Sequence, residues 1–329
     1  METLKRYIYA VMALLLLIAV IFLVFVSDSF EEMDDLGATS INREIVGDAR
    51  SIFPVAQEHI DDVFKLPEEH SIALDDVRAK LISGLNASGS YRPLYEESLR
   101  NPQAGGIFYA TRIIARCMKV MESSIFGKQT QAPYSPEMDS SRYLEMSEAG
   151  DALREKCAAF TSEEISDRHG WSVISSGVAV EDPLISAMKA LGSNYDFTDV
   201  EKLRLQVNEI IRLRDPFLID EVRRRMALVR EPETGKFGYQ FSGKFYSVDS
   251  EVNVNHALYL LPCGLGMQCD KNEFDVAIKC AAAGECYSGR EDYVRKMMTS
   301  DTDALEKTLA LYEEMVEAVK SGDQTKFLN

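Results

Sequence analysis

Residues Ile8 to Val26, IYAVMALLLLIAVIFLVFV, carry no charge; Lys5 and Arg6 precede them, and Asp28, Glu31, Glu32, Asp34 and Asp35 follow closely. An apolar helix of about 20 residues crosses the hydrocarbon core of a bilayer. The run therefore predicts a transmembrane anchor. The basic flank lies on its N-terminal side, so the positive-inside rule leaves the N-terminus cytoplasmic and exports the rest. A cleaved signal peptide is the rival, but its apolar core is about 7–15 residues and ends at a small-residue site. Here the residues before Asp28 are Phe25, Val26 and Ser27. A retained anchor with an exported ectodomain is the expectation.

Export decides how the cysteines are read. All six, Cys117, Cys157, Cys263, Cys269, Cys280 and Cys286, lie beyond the apolar run. Oxidising compartments favour disulfides. The last four form C-x5-C-x10-C-x5-C, wider than the two to four intervening residues usual in zinc sites. Four cysteines allow three pairings. If the helices ending near Cys263 and Cys280 are antiparallel, these two cysteines are displaced by about 10 Å at the helical rise, beyond the roughly 7 Å reach of a bridge. Cys263–Cys269 and Cys280–Cys286 are favoured, which leaves Cys117 with Cys157. No C-x-x-C pattern suggests thiol redox chemistry.

The ectodomain reads as all-α. Apolar residues recur at three- and four-residue steps over 41–66 and 72–85, and again beyond residue 252. Asn101-Pro102, Asp182-Pro183 and Asp215-Pro216 each precede an apolar-periodic segment, so each Asx is expected to cap a helix whose first position is the proline. Thr161-Ser162-Glu163-Glu164 and Thr198-Asp199-Val200-Glu201 read as capping boxes. Cap, helix, Asx-Pro, helix thus occurs twice, with a step near the period of about 34 residues typical of helix-hairpin repeats. The expected organisation is 1–27 anchor, 28–40 tether, 41–231 helical repeats, 232–251 aromatic loop or small β-hairpin, and 252–329 a Cys-rich helical region. The middle is irregular, with a Gln-, Ser- and Pro-containing loop from Gly127 to Ser141.

These hairpins, with Asx-Pro corners and Ala-rich crossings, resemble the Sel1-like and tetratricopeptide repeats. The segments Ala115-Arg116-Cys117, Glu155-Lys156-Cys157-Ala158-Ala159-Phe160-Thr161, Leu261 to Cys269 and Lys279 to Cys286 resemble a group of gammaproteobacterial envelope proteins with degenerate repeats of that kind. The resemblance covers roughly Asn101 to Val294, and the recurring Gly and Ala positions are only partly filled. It implies an irregular α-solenoid-like scaffold that binds another protein on a concave surface. It brings no catalytic residues.

A formal net charge of −17 argues against nucleic acid as a partner. No motif for a nucleophile elbow, zinc protease, phosphate loop or calcium loop occurs, and no cofactor or metal is expected. Candidate binding-surface residues are Arg223 and Arg224 in a basic cluster, Phe237, Tyr239, Phe241 and Tyr246 in the aromatic loop, and His256. For the arginines the plainer expectation is internal pairing with Glu209, Asp220 and Glu221; for His256 it is a structural histidine. The alternative to a binding scaffold is an exported hydrolase or cell-wall enzyme with its site near His256 or the aromatic loop.

Overall fold

A computed structural model of the chain describes residues 68–87, 89–122, 140–192, 199–231, 234–247, 250 and 252–328. The apolar run, the tether, the helix expected over 41–66 and most of the loop from Gly127 to Ser141 lie outside the described residues. No described helix is long and apolar enough to cross a membrane. Among the described residues the protein is mostly helical, with one small sheet and three disulfides. The helices are α1 (Glu68–Asn86), α2 (Arg92–Arg100), α3 (Gly106–Glu122), α4 (Ser140–Cys157), α5 (Asp167–Ala179), α6 (Pro183–Gly192), α7 (Val200–Leu213) and α8 (Pro216–Val222). After strands β1 (Leu228–Arg230), β2 (Phe237–Phe241) and β3 (Lys244–Ser247) come α9 (Val254–Gly264), α10 (Phe274–Ala283), α11 (Arg290–Met297) and α12 (Thr302–Ser321).

Helix α3 is the hub. Phe108, Tyr109, Ala110, Ile113, Cys117 and Val120 have no solvent exposure, because α1, α2, α4, α5 and α6 all pack against it. Its first residue has to be glycine: a Cβ on Gly106 would lie 2.0 Å from the Ser98 carbonyl oxygen. The expectation for Asn101 is corrected here. Its Nδ2 donates to the Glu97 carbonyl and carboxylate at 2.8 and 2.9 Å, so it closes α2, and Pro102–Ala104 is only a 3-10 turn.

The two Asp-Pro corners do cap helices, and they do more. Asp182 Oδ1 accepts from Leu184 and Ile185 N–H at 3.0 Å, which starts α6. Its Oδ2 accepts from Ile107 and Phe108 N–H at 2.8 and 3.3 Å, which starts α3. Asp215 Oδ1 accepts from Phe217 and Leu218 N–H at 3.0 and 2.9 Å, while its Oδ2 accepts from the Tyr109 hydroxyl at 2.6 Å. Both carboxylates are fully buried, and burial pushes the pKa of each up against these hydrogen bonds. Each first oxygen thus satisfies orphan N–H groups of its own helix; the second ties that corner to the first turn of α3.

The Thr161–Glu164 box is formed, with Thr161 N–H to Glu164 at 2.9 Å and Glu164 N–H to Thr161 Oγ1 at 3.3 Å. It closes a turn, however, and Ser166 is the N-cap of α5. Asp199 caps α7 through Lys202 N–H at 3.0 Å.

The expected loop or hairpin at 232–251 is a three-stranded antiparallel sheet, order β1-β2-β3. Its first strand is drawn from the end of the segment read as helical. Leu228 pairs with Tyr239 and Tyr239 with Tyr246. The extra strand has only three residues, too short to show a period of two against the helical pattern before it.

Three bridges close the structure: Cys117–Cys157, Cys263–Cys269 and Cys280–Cys286, with Cα–Cα distances of 5.4, 5.6 and 4.2 Å. This is the pairing the spacing favours. The first closes a separation of 40 residues and joins α3 to α4; the others span 6. Chain entropy gives about 4 kcal/mol for the long loop and about 2.2 for each short one. The described residues form one compact unit. Within it α4 packs chiefly on α10 and α9 on α12, so contacts between elements remote in sequence close the body.

Candidate functional site

Gly289 and Arg290 set the geometry of the C-terminal face. A Cβ on Gly289 would meet the Cys269 carbonyl oxygen at 2.3 Å, and Arg290 N–H donates to that oxygen at 2.9 Å. The loop tied by Cys263–Cys269 is thereby clasped to the start of α11. From there the Arg290 side chain enters the interior, where it has no solvent exposure. Its guanidinium reaches Asp220 at 2.6 Å, Glu273 at 3.1 Å and Asp275 at 3.2 Å. It also donates to the Tyr259 carbonyl at 3.0 Å and lies 4.4 Å from the Tyr259 ring centre. One arginine thus links α8, α9, α10 and α11. Burial pushes the Asp220 pKa up, but the Arg290 and Arg223 charges outweigh it and hold the carboxylate below its usual range. A buried cation with several hydrogen-bonded carboxylates is tolerated only with such geometry.

The clasp borders a groove of about 330 Å³. Leu260, Tyr312 and the Cys263–Cys269 bridge give it apolar walls, and Asp270, Glu291 and Asp292 contribute carboxylates. Asp292 accepts from Ser288 N–H at 2.9 Å and pairs with Lys296 at 3.3 Å. The Ser288 hydrogen bond, ahead of Lys296, holds its pKa below the usual carboxylate range. Glu291 pairs with Arg295 at 2.7 Å. Glu291 and Asp292 are thus each paired with a cation of their own helix.

The residues singled out from the sequence are dispersed. Arg223 pairs with Asp220 at 2.7 Å and stacks 5.4 Å from the Tyr259 ring centre; Arg212 pairs with Glu209 at 2.6 Å, and Glu221 with Arg112. Internal pairing thus accounts for Arg212 and Arg223 of that basic cluster, while Glu221 is taken by Arg112 outside it. Arg224 is exposed. Phe237 is 47% exposed, with Arg230 5.8 Å from its ring centre. Tyr246 is half-buried beneath Lys244. Tyr239 and Phe241 correct the surface assignment. On a strand, residues two apart share a face, and this face turns inward: Phe241 meets Phe327 at 4.9 Å between ring centres, and the Tyr239 hydroxyl donates to Asn255.

His256 lies 6.1 Å from Tyr293, between ring centres, and Tyr293 contacts Tyr259 and Tyr287 at 5.7 and 5.1 Å. Its Nδ1 is buried without a hydrogen-bond partner, and burial pushes its pKa down. A general base needs a second polar group to orient it; His256 has none on that nitrogen. Among the described residues no three His, Cys, Asp or Glu side chains converge as a metal-holding group.

Arg290, Glu273 and Asp275 were not singled out from sequence, and Asp220 only as a partner for the neighbouring arginines, since nothing in their spacing distinguishes them from abundant surface charges. The glycine directly before Arg290 is the sole local signal of the close approach. No protein-family model, curated protein or solved structure matches the chain.

Proposed function

We propose that this protein is a scaffold tethered to the bacterial inner membrane whose periplasmic domain binds another protein. The groove beside the Cys263–Cys269 clasp carries this reading. It combines apolar walls, carboxylates and a volume of about 330 Å³, the mixture found where a side chain of a partner is received. The six cysteines, all bridged, support an oxidising compartment, and the apolar run supports the tether. The hairpins α5–α6 and α7–α8, each with an Asp-Pro corner, support descent from degenerate helix-hairpin repeats of the Sel1-like or tetratricopeptide kind. The hydrolase alternative has no such observation behind it, because His256 lacks an orienting partner.

A photo-crosslinking amino acid placed at Glu291 in the full chain tests the reading in intact cells. The expected result is a discrete crosslinked protein from position 291 and none from Leu205, a residue 71% exposed on α7. Crosslinks absent from the groove, together with peptidoglycan cleavage by the purified full chain, would overturn it.

A further inference from the structure

Three carboxylates and no cation line the groove beside the Cys263–Cys269 clasp. Asp270 enters from just beyond the loop that the bridge closes, while Glu291 and Asp292 come from the first turn of α11. Leu260 on α9 and Tyr312 on α12 supply apolar surface opposite charge. The carboxylates are not gathered at one point: among the described residues no three acidic or histidine side chains converge as a metal-holding group. They are spread along a groove of about 330 Å³, which suits an occupant with length.

Each carboxylate keeps capacity for a further donor. Asp270 Oδ1 accepts from Asn272 N–H at 2.8 Å and Oδ2 from the Gln268 side-chain amide; neither donor carries a charge. Both contacts of Arg295 with Glu291 fall on Oε1, at 2.7 and 2.8 Å. Lys296 pairs with Asp292 Oδ2, the oxygen that also accepts from Ser288 N–H. Arg295 and Lys296 are 52% and 55% exposed along their side chains, and neither lines the groove. Exposed pairs one turn apart on a helix are weak, and a carboxylate has about four lone-pair sites, so a second cation can share each group with the first.

A purely apolar side chain seated here would strip water from the carboxylates without replacing its hydrogen bonds. An acidic one would meet like charge. A lone small ion would leave most of the volume unfilled. Lysine and arginine fit on each count: a long aliphatic stem packs on Leu260, Tyr312 and the disulfide, the cationic head meets the carboxylates, and an aromatic face attracts that head as well. The net charge of −17 draws a basic partner in over a longer range. Resting on the reading that the groove binds a partner protein, we infer that it receives a lysine or arginine side chain from a basic segment of that partner.

The test places a photo-crosslinking residue at Ser288 of the full chain in intact cells. Ser288 is exposed and lines the groove, and its replacement leaves all three carboxylates in place. Mass-spectrometric mapping should find the crosslink beside a lysine or arginine of the captured protein. Asp270→Asn should lower the crosslink yield about 10-fold, the scale of one charge-assisted hydrogen bond, and Asp270→Lys should abolish it. The asparagine keeps an oxygen for Asn272 N–H, so the purified variant should unfold at the wild-type temperature. Glu291→Gln serves if Asp270→Asn does not fold. Changing the mapped basic residue of the partner to Asp should restore the yield with Asp270→Lys. A crosslink in a stretch without lysine or arginine, or a yield unchanged in both Asp270→Asn and Glu291→Gln, would overturn the basic occupant and leave the groove as a binding site. No crosslink from position 288 or position 291 would remove the binding reading and the basic occupant together.

Discussion

Asp182→Ala tests whether a single buried carboxylate starts two helices. The wild-type group accepts four backbone hydrogen bonds, two at 3.0 Å from α6 and two at 2.8 and 3.3 Å from α3. Loss of an N-cap alone costs about 1 kcal/mol. The substitution also strips Ile107 and Phe108 N–H of their acceptor in a fully buried setting, at about 1–3 kcal/mol for each donor left unsatisfied. The 3.3 Å bond to Phe108 falls at the low end, and relief from burying a carboxylate offsets part of the total. The expected destabilisation is about 3–5 kcal/mol, a large fraction of the roughly 5–15 kcal/mol that holds a domain folded. Asp199→Ala is the control. It removes one exposed bond, to Lys202 N–H at 3.0 Å, and should cost about 1 kcal/mol. Urea unfolding of the full chain under non-reducing conditions, followed by helical circular dichroism, gives both values. Faster hydrogen exchange should appear first at Ile107, Phe108, Leu184 and Ile185, the N–H groups that lose their acceptor. If Asp182→Ala falls within about 1 kcal/mol of Asp199→Ala, the double cap contributes nothing beyond an ordinary one, and the reasoning fails.

Two further outcomes follow from the charged groups. Arg290→Met should destabilise by about 3–5 kcal/mol in the same assay, because it leaves Asp220 and Glu273 buried without their shared cation; a near-neutral effect would show that the network is dispensable. Glu164 is held at about 2 by its hydrogen bonds to Arg92 and then Thr161, against an ordinary value of 4.5. Its contribution is therefore present above 4.5 and lost as pH falls toward 2. Glu164→Gln should flatten the stability profile across that window, modestly because the pair is a quarter to a third exposed. An unchanged profile would remove Glu164 from acid unfolding.

The Asx-Pro corners show how far the sequence is legible. Asp182 and Asp215 are readable as caps because the donors they satisfy lie two and three residues on. Their second partners, Ile107, Phe108 and Tyr109, lie 74 to 106 residues away, and no local pattern encodes such a distance. Asn101 has the same dipeptide signature but bonds backward to Glu97, since Gly106 needs the close approach that forces a 3-10 turn. The two short disulfides were legible for the opposite reason: a separation of 6 residues leaves little choice once helix direction is assumed. The aromatic run at 237–246 was legible as a break in helix, but not in its orientation, which depends on the core that receives Phe241.

By itself, the sequence determined the mainly helical class, the caps at Asp182, Asp199 and Asp215, the cysteine pairing and the contrast between an apolar N-terminal run and the acidic chain after it. These rest on interactions within a turn or two, or on the reach of a bridge, and short spacings decide them. Only the tertiary structure determined which charges became buried. Arg290 gathered three carboxylates, from α8, from α10 and from the residue that caps α10, while Arg116 and Lys156 were brought together by a disulfide. The physical reason is that the energy of a charge depends on everything within several ångströms of it, and those neighbours come from parts of the chain that meet only once the core has closed.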